Sequence, residues 1–285
     1  MILRDRSASG EIETEILVIG SGPGGAVSGT LFAQSGRQTT MVEEGDHLAL
    51  EAAPHFSREE MLLKYRNAGV GVALGRNKLA WVEGRCVGGG SEVNRGLYHR
   101  TPGYILDDWR RRFAVHDLDL AAMAPHFAAC EEVARVEYAG SAASDMSRRL
   151  QQGAQAQGWL AIEAPRLYRY DRDQGGGVKQ SMSATFVRRF IEAGGALLPA
   201  TRIDRLRRMN GRWIAEGSRR GEDGKRRPVT FRARTVVAAC GAVQTPALLR
   251  RSGLSHNIGN SLRFHPMVKV VAEFDRDVNQ PGDFD

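Results

Sequence analysis

Cysteine is scarce. The 285 residues hold three, Cys86, Cys130 and Cys240, widely separated and without a CxxC pair. That spacing excludes a disulfide framework and a zinc site, and it suits thiols that behave as small apolar residues. Long apolar runs are missing too: none approaches the roughly 18 residues needed to cross a bilayer. The opening "MILRDRSASGEIETE" has no apolar core ahead of a small-residue cleavage site, so no secretory signal is expected and a cytoplasmic chain is. Aromatic platforms are absent from the basic stretches. Lys and Arg outnumber Asp and Glu 40 to 33, for a net charge of +7, but the excess is arginine scattered along the chain. The run "GSRRGEDGKRRP" (217–228) contains its own acids and a glycine and reads as a solvated hairpin tip, so nucleic acid is not the expected partner. With 42% hydrophobic and 26% charged residues, composition fits a globular protein of one large core or two domains.

What the chain has in excess is glycine in clusters. "EILVIG" (15–20) is a short apolar, β-branched run, as a buried strand requires. "AVSGTLFAQSG" (26–36) carries helical spacing with Gly36 as its stop, and "TTMVEEG" (39–45) is a second strand. Strand, glycine turn, helix and strand make a βαβ opening. Between strand and helix lies Gly20-Ser21-Gly22-Pro23-Gly24-Gly25, which fits G-x-G-x-x-G. The first glycine serves a tight turn, the second admits a pyrophosphate to the backbone, and the third allows close helix–strand packing. The amides of the helix start would face that anion with the helix dipole behind them. Glu43 closes the second strand about 20 residues on, where an acid bonds ribose hydroxyls, with Glu44 as the lesser candidate. An acid there disfavours a 2′-phosphate, which favours FAD or NAD over NADP.

Further along, 46–83 has little periodicity apart from an amphipathic stretch near Glu59–Tyr65. Helix is expected over 107–136 and 145–157, a glycine-rich loop over 170–180 and helix over 183–195. Strands are expected at 201–206, 212–217, 229–233 and 235–241, then a helix over 245–253 with Pro246 in its first turn. No internal repeat is present.

Four separated stretches then resemble, in order, the glucose–methanol–choline (GMC) oxidoreductases, FAD-dependent alcohol oxidases and dehydrogenases. They are "VIGSGPGGA" with "VEEG"; "GRCVGGGSEVNRGLYHR" (84–100); "SATFVRRF" leading into "TRIDRL"; and "VVAACGAVQTPALLRRSGL" with "GNSLRFHP". The resemblance covers roughly 13–105 and 183–270. It implies an α/β fold: a Rossmann-like FAD-binding domain with ββα layers, discontinuous over 13–100 and 183–270. A mostly helical insertion at 101–182 would contribute to the substrate side, and 271–285 would start an incomplete substrate-domain sheet.

The resemblance also implies a cofactor-binding set of Gly20, Gly22, Pro23, Gly24, Gly25, Glu43, Glu44, Arg85, Gly88, Gly89, Gly90, Ser91, Asn94, Leu97, Ile203, Ala239 and Gly241. In similar proteins the second glycine loop lies along the pyrophosphate and isoalloxazine. Ser91 matches a small hydroxyl residue near the phosphates, Asn94 an asparagine beside the ring, and Ile203 a backbone contact to adenine. Gln244 and Thr245 read as capping and packing groups, and His265 matches a histidine near a domain junction.

Departures modify the picture. The third residue of the glycine loop is Gly90 where serine is usual. Val93 stands where some relatives attach FAD through histidine, so non-covalent FAD is expected. The implied reaction is oxidation of a small-molecule alcohol to a carbonyl, with hydride passing to flavin N5 while a histidine base takes the hydroxyl proton. None of His47, His55, His99, His116, His126 and His256 matches a catalytic motif, so no catalytic residue and no metal ligand is assigned. The chain ends at "QPGDFD", before the place where such a base lies, so the expectation is the amino-terminal part of an enzyme whose carboxy-terminal part would be its partner. A stand-alone or degenerate FAD-binding module without turnover is the alternative, and an NAD-linked reductase using only the first cluster is a third.

Overall fold

A computed structural model describes residues 10–55, 57–76, 78–139, 143–171, 176–263 and 270–278. The chain divides into two compact units, one of 1–95 with 181–262 and one of 96–180 with 263–285. In chain order the strands and helices of the first are β1 (Glu11–Ile19), α1 (Pro23–Gln34), β2 (Thr39–Val42), α2 (Arg58–Lys64), β3 (Gly71–Leu74), β4 (Lys78–Trp81) and α3 (Gly90–Val93). The second unit supplies α4 (Gly103–Phe113), α5 (Leu120–Ala134), β5 (Val136–Glu137), α6 (Asp145–Ala156), β6 (Arg166–Asp171) and β7 (Gly176–Lys179). The first unit resumes with α7 (Phe186–Glu192), β8 (Ala196–Leu198), β9 (Thr201–Met209), β10 (Arg212–Arg220), β11 (Arg226–Ala238) and α8 (Gly241–Arg251).

The first unit is a Rossmann-like α/β layer structure. Its six-stranded sheet runs β8-β2-β1-β11-β10-β9, parallel through β8, β2, β1 and β11, with β10 and β9 added antiparallel. The carboxyl half of β1, Ile16–Ile19, reads as an unbroken apolar run because both its faces are covered. Val18 and Met41 meet α1, where added methyl groups at Gly25 and Gly29 would lie 3.2 Å from Val18 and 2.6 Å from Met41. Leu17, Ile19 and Val42 face the opposite way, into a core shared with Phe231, Ile203, Leu206 and Leu248 of α8. Strand β11 is longer than the two runs expected at 229–233 and 235–241. Only Arg234 separates them, no turn residue intervenes, and the chain continues as one strand pairing β1 from Thr230 to Ala238. Helix α8 starts a turn earlier than expected, which moves Pro246 out of the first turn into the helix interior.

In the second unit the helix expected over 107–136 is two. Ala114 turns left-handed (φ 49°) at the end of α4, and the Asp119 carboxylate caps α5 by accepting the Ala122 amide at 2.8 Å. Of the loop expected over 170–180, Tyr170 and Asp171 belong to β6 and Gly176–Lys179 to β7, which pair with each other and with β5 in a three-stranded antiparallel sheet. Tyr168 and Tyr170 stack with centroids 6.0 Å apart, and Gly177 lies against both rings, which lets aromatic side chains cover a bare strand position. Residues 270–278 carry no strand, and 279–285, where the rest of a sheet was expected, lie outside the described residues. Among the described residues no helix is long and apolar enough to cross a membrane.

Phe231 is fully buried at the centre of the first unit's core. Phe231→Ala is expected to cost roughly 3–5 kcal/mol of unfolding free energy. Urea denaturation measures it, and a loss below about 1 kcal/mol would show that the site collapses around the missing ring.

Candidate functional site

Three chain segments far apart in sequence meet at the carboxyl ends of β1 and β11. These strands are parallel neighbours, and each runs straight into a helix start. Gly20 takes a left-handed conformation (φ 99°), and a side chain there would place its first carbon 2.4 Å from the Ala239 carbonyl oxygen. Glycine is required at this position on both counts. The Ala239 amide donates to Ile19 O at 2.8 Å, fastening the turn after β11 to the end of β1. The third segment is the loop before α3. An added methyl group on Gly89 would lie 2.9 Å from Gly22 Cα, so the two glycine clusters touch backbone to backbone.

A hydrogen-bond relay holds that contact. The Gly88 amide donates to Ser21 Oγ at 3.1 Å, and Ser21 Oγ donates to Glu43 Oε2 at 2.7 Å. The Ser21 amide reaches the same oxygen at 3.1 Å, while Oε1 accepts the Gly45 amide at 2.9 Å. Glu43 is 7% exposed. Burial pushes its carboxyl above the ordinary value, against the hydrogen bonds from Gly45 and Ser21 that lower it. Its neighbour behaves oppositely. Burial alone would raise Glu44, but the hydrogen bond and charge of Arg66, with Arg85 and Arg202 nearby, outweigh it and hold the carboxyl below its ordinary value. Arg66 bonds Glu44 at 2.8 and 3.3 Å, and Arg85 pairs with it at 3.3 Å.

Other glycines at the junction are not demanded by the protein. Gly22 has φ −65° and no atom nearer than 3.9 Å to an added methyl group; Gly24 meets only Ala239 Cβ at 3.9 Å, and Gly90 meets nothing within 4 Å. Bare backbone here leaves open space beside the start of α1, where unpaired amides favour an anion. The cradle fits a dinucleotide pyrophosphate, a group that a Cβ would displace.

The remaining expected residues are distributed as follows. Pro23 is the first residue of α1, and Gly241 opens α8 with nothing within 4 Å of an added methyl group. Ser91 is buried; its hydroxyl donates to Gly88 O at 2.7 Å and accepts the Met182 amide at 2.9 Å, so its single proton is engaged inside the loop. Asn94 is exposed just after α3, and its amide bonds Gly90 O at 3.1 Å. Ile203 is buried in β9 opposite Gly217, at the one irregularity of the β9–β10 ladder. Leu97 belongs to the second unit, where it bridges Arg166. Thr245 Oγ1 accepts the Cys240 amide at 3.0 Å, and Gln244 reaches Glu83 at 3.3 Å. His265 lies outside the described residues. Among the described residues no group of three His, Cys, Asp or Glu could hold a metal.

Three contributors escaped the sequence reading. Ser21 occupies an "x" of the motif, yet its hydroxyl joins the two clusters. Glu60 and Lys64 look like the polar face of α2, but both are 1% exposed and paired at 3.1 Å, and the Lys64 carbonyl accepts the Arg85 amide at 2.7 Å. Glu92, buried at 4%, sits in α3. An acid placed i−4 from a lysine was the available signal for the second; the others had none.

Comparison with known proteins gives one consistent picture. The profile of the family described as GMC oxidoreductase matches residues 15–267. An uncharacterized GMC-type oxidoreductase of Sinorhizobium fredii is 32% identical over 280 residues, 94% of this chain and 55% of the relative. A long-chain-alcohol oxidase of Arabidopsis thaliana is 26% identical over 293 residues, 95% of this chain and 39% of the oxidase. Among solved structures, pyridoxine 4-oxidase from Mesorbium loti superposes with a TM-score of 0.65 at 17% identity, covering 85% of this chain and 52% of that one. A formate oxidase of Aspergillus oryzae, studied for modification of its FAD, gives 0.65 at 16% identity, over 87% and 48%. The chain thus spans about half the length of the relatives it matches, or less.

The raised carboxyl of Glu43 fixes the sign of a pH effect. Its neutral form is favoured by folding, so its contribution is fully present below the 4.5 of a free glutamate and is lost as pH rises through the folded-state value above it. Glu43→Gln removes that titration. The stability gap between the native protein and Glu43→Gln, from urea midpoints across a pH series, is expected to narrow as pH rises; a widening gap would contradict the assignment.

Proposed function

The chain belongs to the GMC oxidoreductase family, and from that premise we propose that its first unit binds FAD non-covalently for the oxidation of an alcohol CH–OH group to a carbonyl. GMC oxidoreductases bind FAD. The single observation that carries the assignment here is the contact between the Gly20–Gly25 turn and the Gly88–Gly90 loop, with unfilled space at Gly22, Gly24 and Gly90.

The roles divide by position. Gly22, Pro23 and Gly24 present the α1 amides to the pyrophosphate, and Gly20 and Gly25 hold strand and helix close enough for that. Glu43 receives the ribose. A carboxylate offers about four acceptor sites and three are occupied by Ser21 and Gly45, which leaves one on Oε1 for a ribose hydroxyl. Ile203 would meet the adenine through its main chain, and Ala239 with Gly241 would close the cradle from the β11–α8 turn. The loop from Gly88 to Asn94 lines the ring, with Arg85 at its root, Glu44 in its ion pair, and Leu97 beyond it in sequence. Val93 offers no nucleophile, so the cofactor is held without a covalent bond. Ser91 acts on the loop itself, through Gly88 O and Met182 N.

Bound FAD supplies the two-electron acceptor for the alcohol. The proton acceptor is assigned to polypeptide equivalent to the half of the relatives that this chain does not match. The second unit supports such a partner. Among the described residues, α4, α5 and α6 contribute only Leu106 and Ala134 to the buried set, and Trp159 and Leu160 are 70% and 89% exposed. Apolar surface of that kind marks a face made to be covered.

Gly22→Ala and Gly90→Ala separate folding from cofactor binding, because neither new methyl group meets protein closer than 3.9 Å. Both variants are expected to fold as the native protein does by circular dichroism. The native chain, purified with FAD, should show visible flavin absorption, and each variant should lose roughly tenfold or more in FAD affinity. A native chain that folds and takes up no flavin would refute the proposal.

A further inference from the structure

The stretch "SMSATF" (181–186) has no direct part in the FAD reading above and meets the glycine loop only from behind, through Ser91 and Glu92, and its geometry suggests a separate task. Residues 182–185 form a turn braced from within. Thr185 Oγ1 donates to Ser181 O at 2.7 Å, the Thr185 amide reaches Ser181 O at 3.1 Å, and the Val187 amide reaches Met182 O at 2.8 Å. Ser181 and Thr185 are buried, and the turn runs directly into α7, whose Phe190 is fully buried against α1. It is therefore a rigid platform. Its two leading amides point away from its own bonds: Met182 N–H goes to Ser91 Oγ at 2.9 Å, and Ser183 N–H goes to Glu92 Oε1 at 3.2 Å. Consecutive amides of the platform are held by consecutive side chains of the glycine loop.

Each side chain has a second contact, both at Gly88: Ser91 Oγ donates to Gly88 O at 2.7 Å, and Glu92 lies under its Cα. Gly88 is left-handed (φ 95°), and an added methyl group there would fall on the Glu92 carboxylate, with Cδ only 2.7 Å away. The carboxylate therefore lies directly beneath Gly88 Cα. Gly88 is also the residue whose amide enters the Ser21–Glu43 relay. Two buried side chains thus tie Gly88 to the platform, Ser91 at its carbonyl and Glu92 beneath its Cα, and of the two Glu92 fills the space there, while the next residue, Gly89, faces Gly22.

We infer that Glu92 is a positioning residue for the cofactor: its carboxylate, accepting the Ser183 amide beneath Gly88, sets the height of the Gly88–Gly90 loop over the Gly22 turn. This rests on the FAD reading above for its consequence, though not for its geometry. Glu92 does not touch the cofactor in this scheme. It acts through Gly88 and Gly89.

Two near-isosteric variants test it. Glu92→Gln keeps an acceptor oxygen for Ser183, and Glu92→Leu fills the space without one. Amide hydrogen exchange of peptides covering 86–95, measured without cofactor, is expected to be unchanged in Glu92→Gln and roughly tenfold faster in Glu92→Leu, as loss of a buried charge-assisted bond implies. FAD titration by fluorescence quenching is expected to follow the same order, with affinity retained in Glu92→Gln and weakened roughly tenfold in Glu92→Leu. A Glu92→Leu loop as protected as the native one would overturn the inference. So would a Glu92→Gln that behaves like Glu92→Leu, since charge and not the acceptor would then matter. Should the native chain fail to bind FAD, the functional reading falls, and the exchange comparison still decides whether Glu92 positions the loop.

Discussion

One hydroxyl group couples the two glycine clusters. Ser21 Oγ has a single proton and gives it to Glu43, which leaves its lone pairs for the Gly88 amide. The direction of the relay is therefore fixed by a buried acceptor at its end, and that acceptor is the residue closing β2. Three elements, the turn after β1, the end of β2 and the loop before α3, are held in register by one carboxylate. Placing a carboxyl where it is 7% exposed is unfavourable unless donors surround it, and here three do. The backbone contact between Gly22 and Gly89 depends on this arrangement, because glycine at both positions removes the obstacle to approach without supplying any attraction.

The glycines divide into two physical classes that a motif string does not distinguish. Gly20, Gly25, Gly88 and Gly89 are crowded by other protein atoms, so side chains there would break the fold itself. Gly22, Gly24 and Gly90 are not, and in a protein with no ligand to accommodate they would tolerate alanine. Bare positions that the fold does not require are the stronger evidence for a ligand, since mid-element glycine is otherwise destabilising.

Much of this was legible in the sequence, and the boundary of legibility is physical. Strand β1, helix α1, strand β2 and Glu43 follow from patterns a few residues long, where hydrophobic period and turn chemistry decide the outcome. The β6–β7 hairpin was read as loop because its glycines and charges suggest one, while the stacking that covers Gly177 comes from tyrosines on the opposite strand. Breaks at Ala114 and Asp119 were hidden within a continuing three- and four-residue spacing. Glu60 and Lys64 show the limit most clearly. Their i, i+4 spacing is that of an ordinary surface pair, and only packing that brings Leu50 over the lysine makes the pair a buried one.

That buried pair bears on why the second glycine loop stands where it does. Lys64 donates to Leu50 O at 3.0 Å and to Glu60 at 3.1 Å, so its charge is compensated on two sides while its own carbonyl receives the Arg85 amide. Removing water from two charges costs more than their attraction returns unless hydrogen bonds complete the shell, so such a pair is weak evidence for stability. It does, however, specify one arrangement of the chain before Arg85 over its competitors. On the far side of Gly88–Gly90, Ser91 and Glu92 do the same against the platform at 181–185. The loop is thus pinned at its root by a charged pair, at its far end by a carboxylate and a hydroxyl, and across its face by Ser21. Glycine contributes conformational freedom, and these polar anchors remove it again around Gly88–Gly90. A string of glycines in a loop therefore signals precision only when buried polar groups flank it on both sides, and here they do.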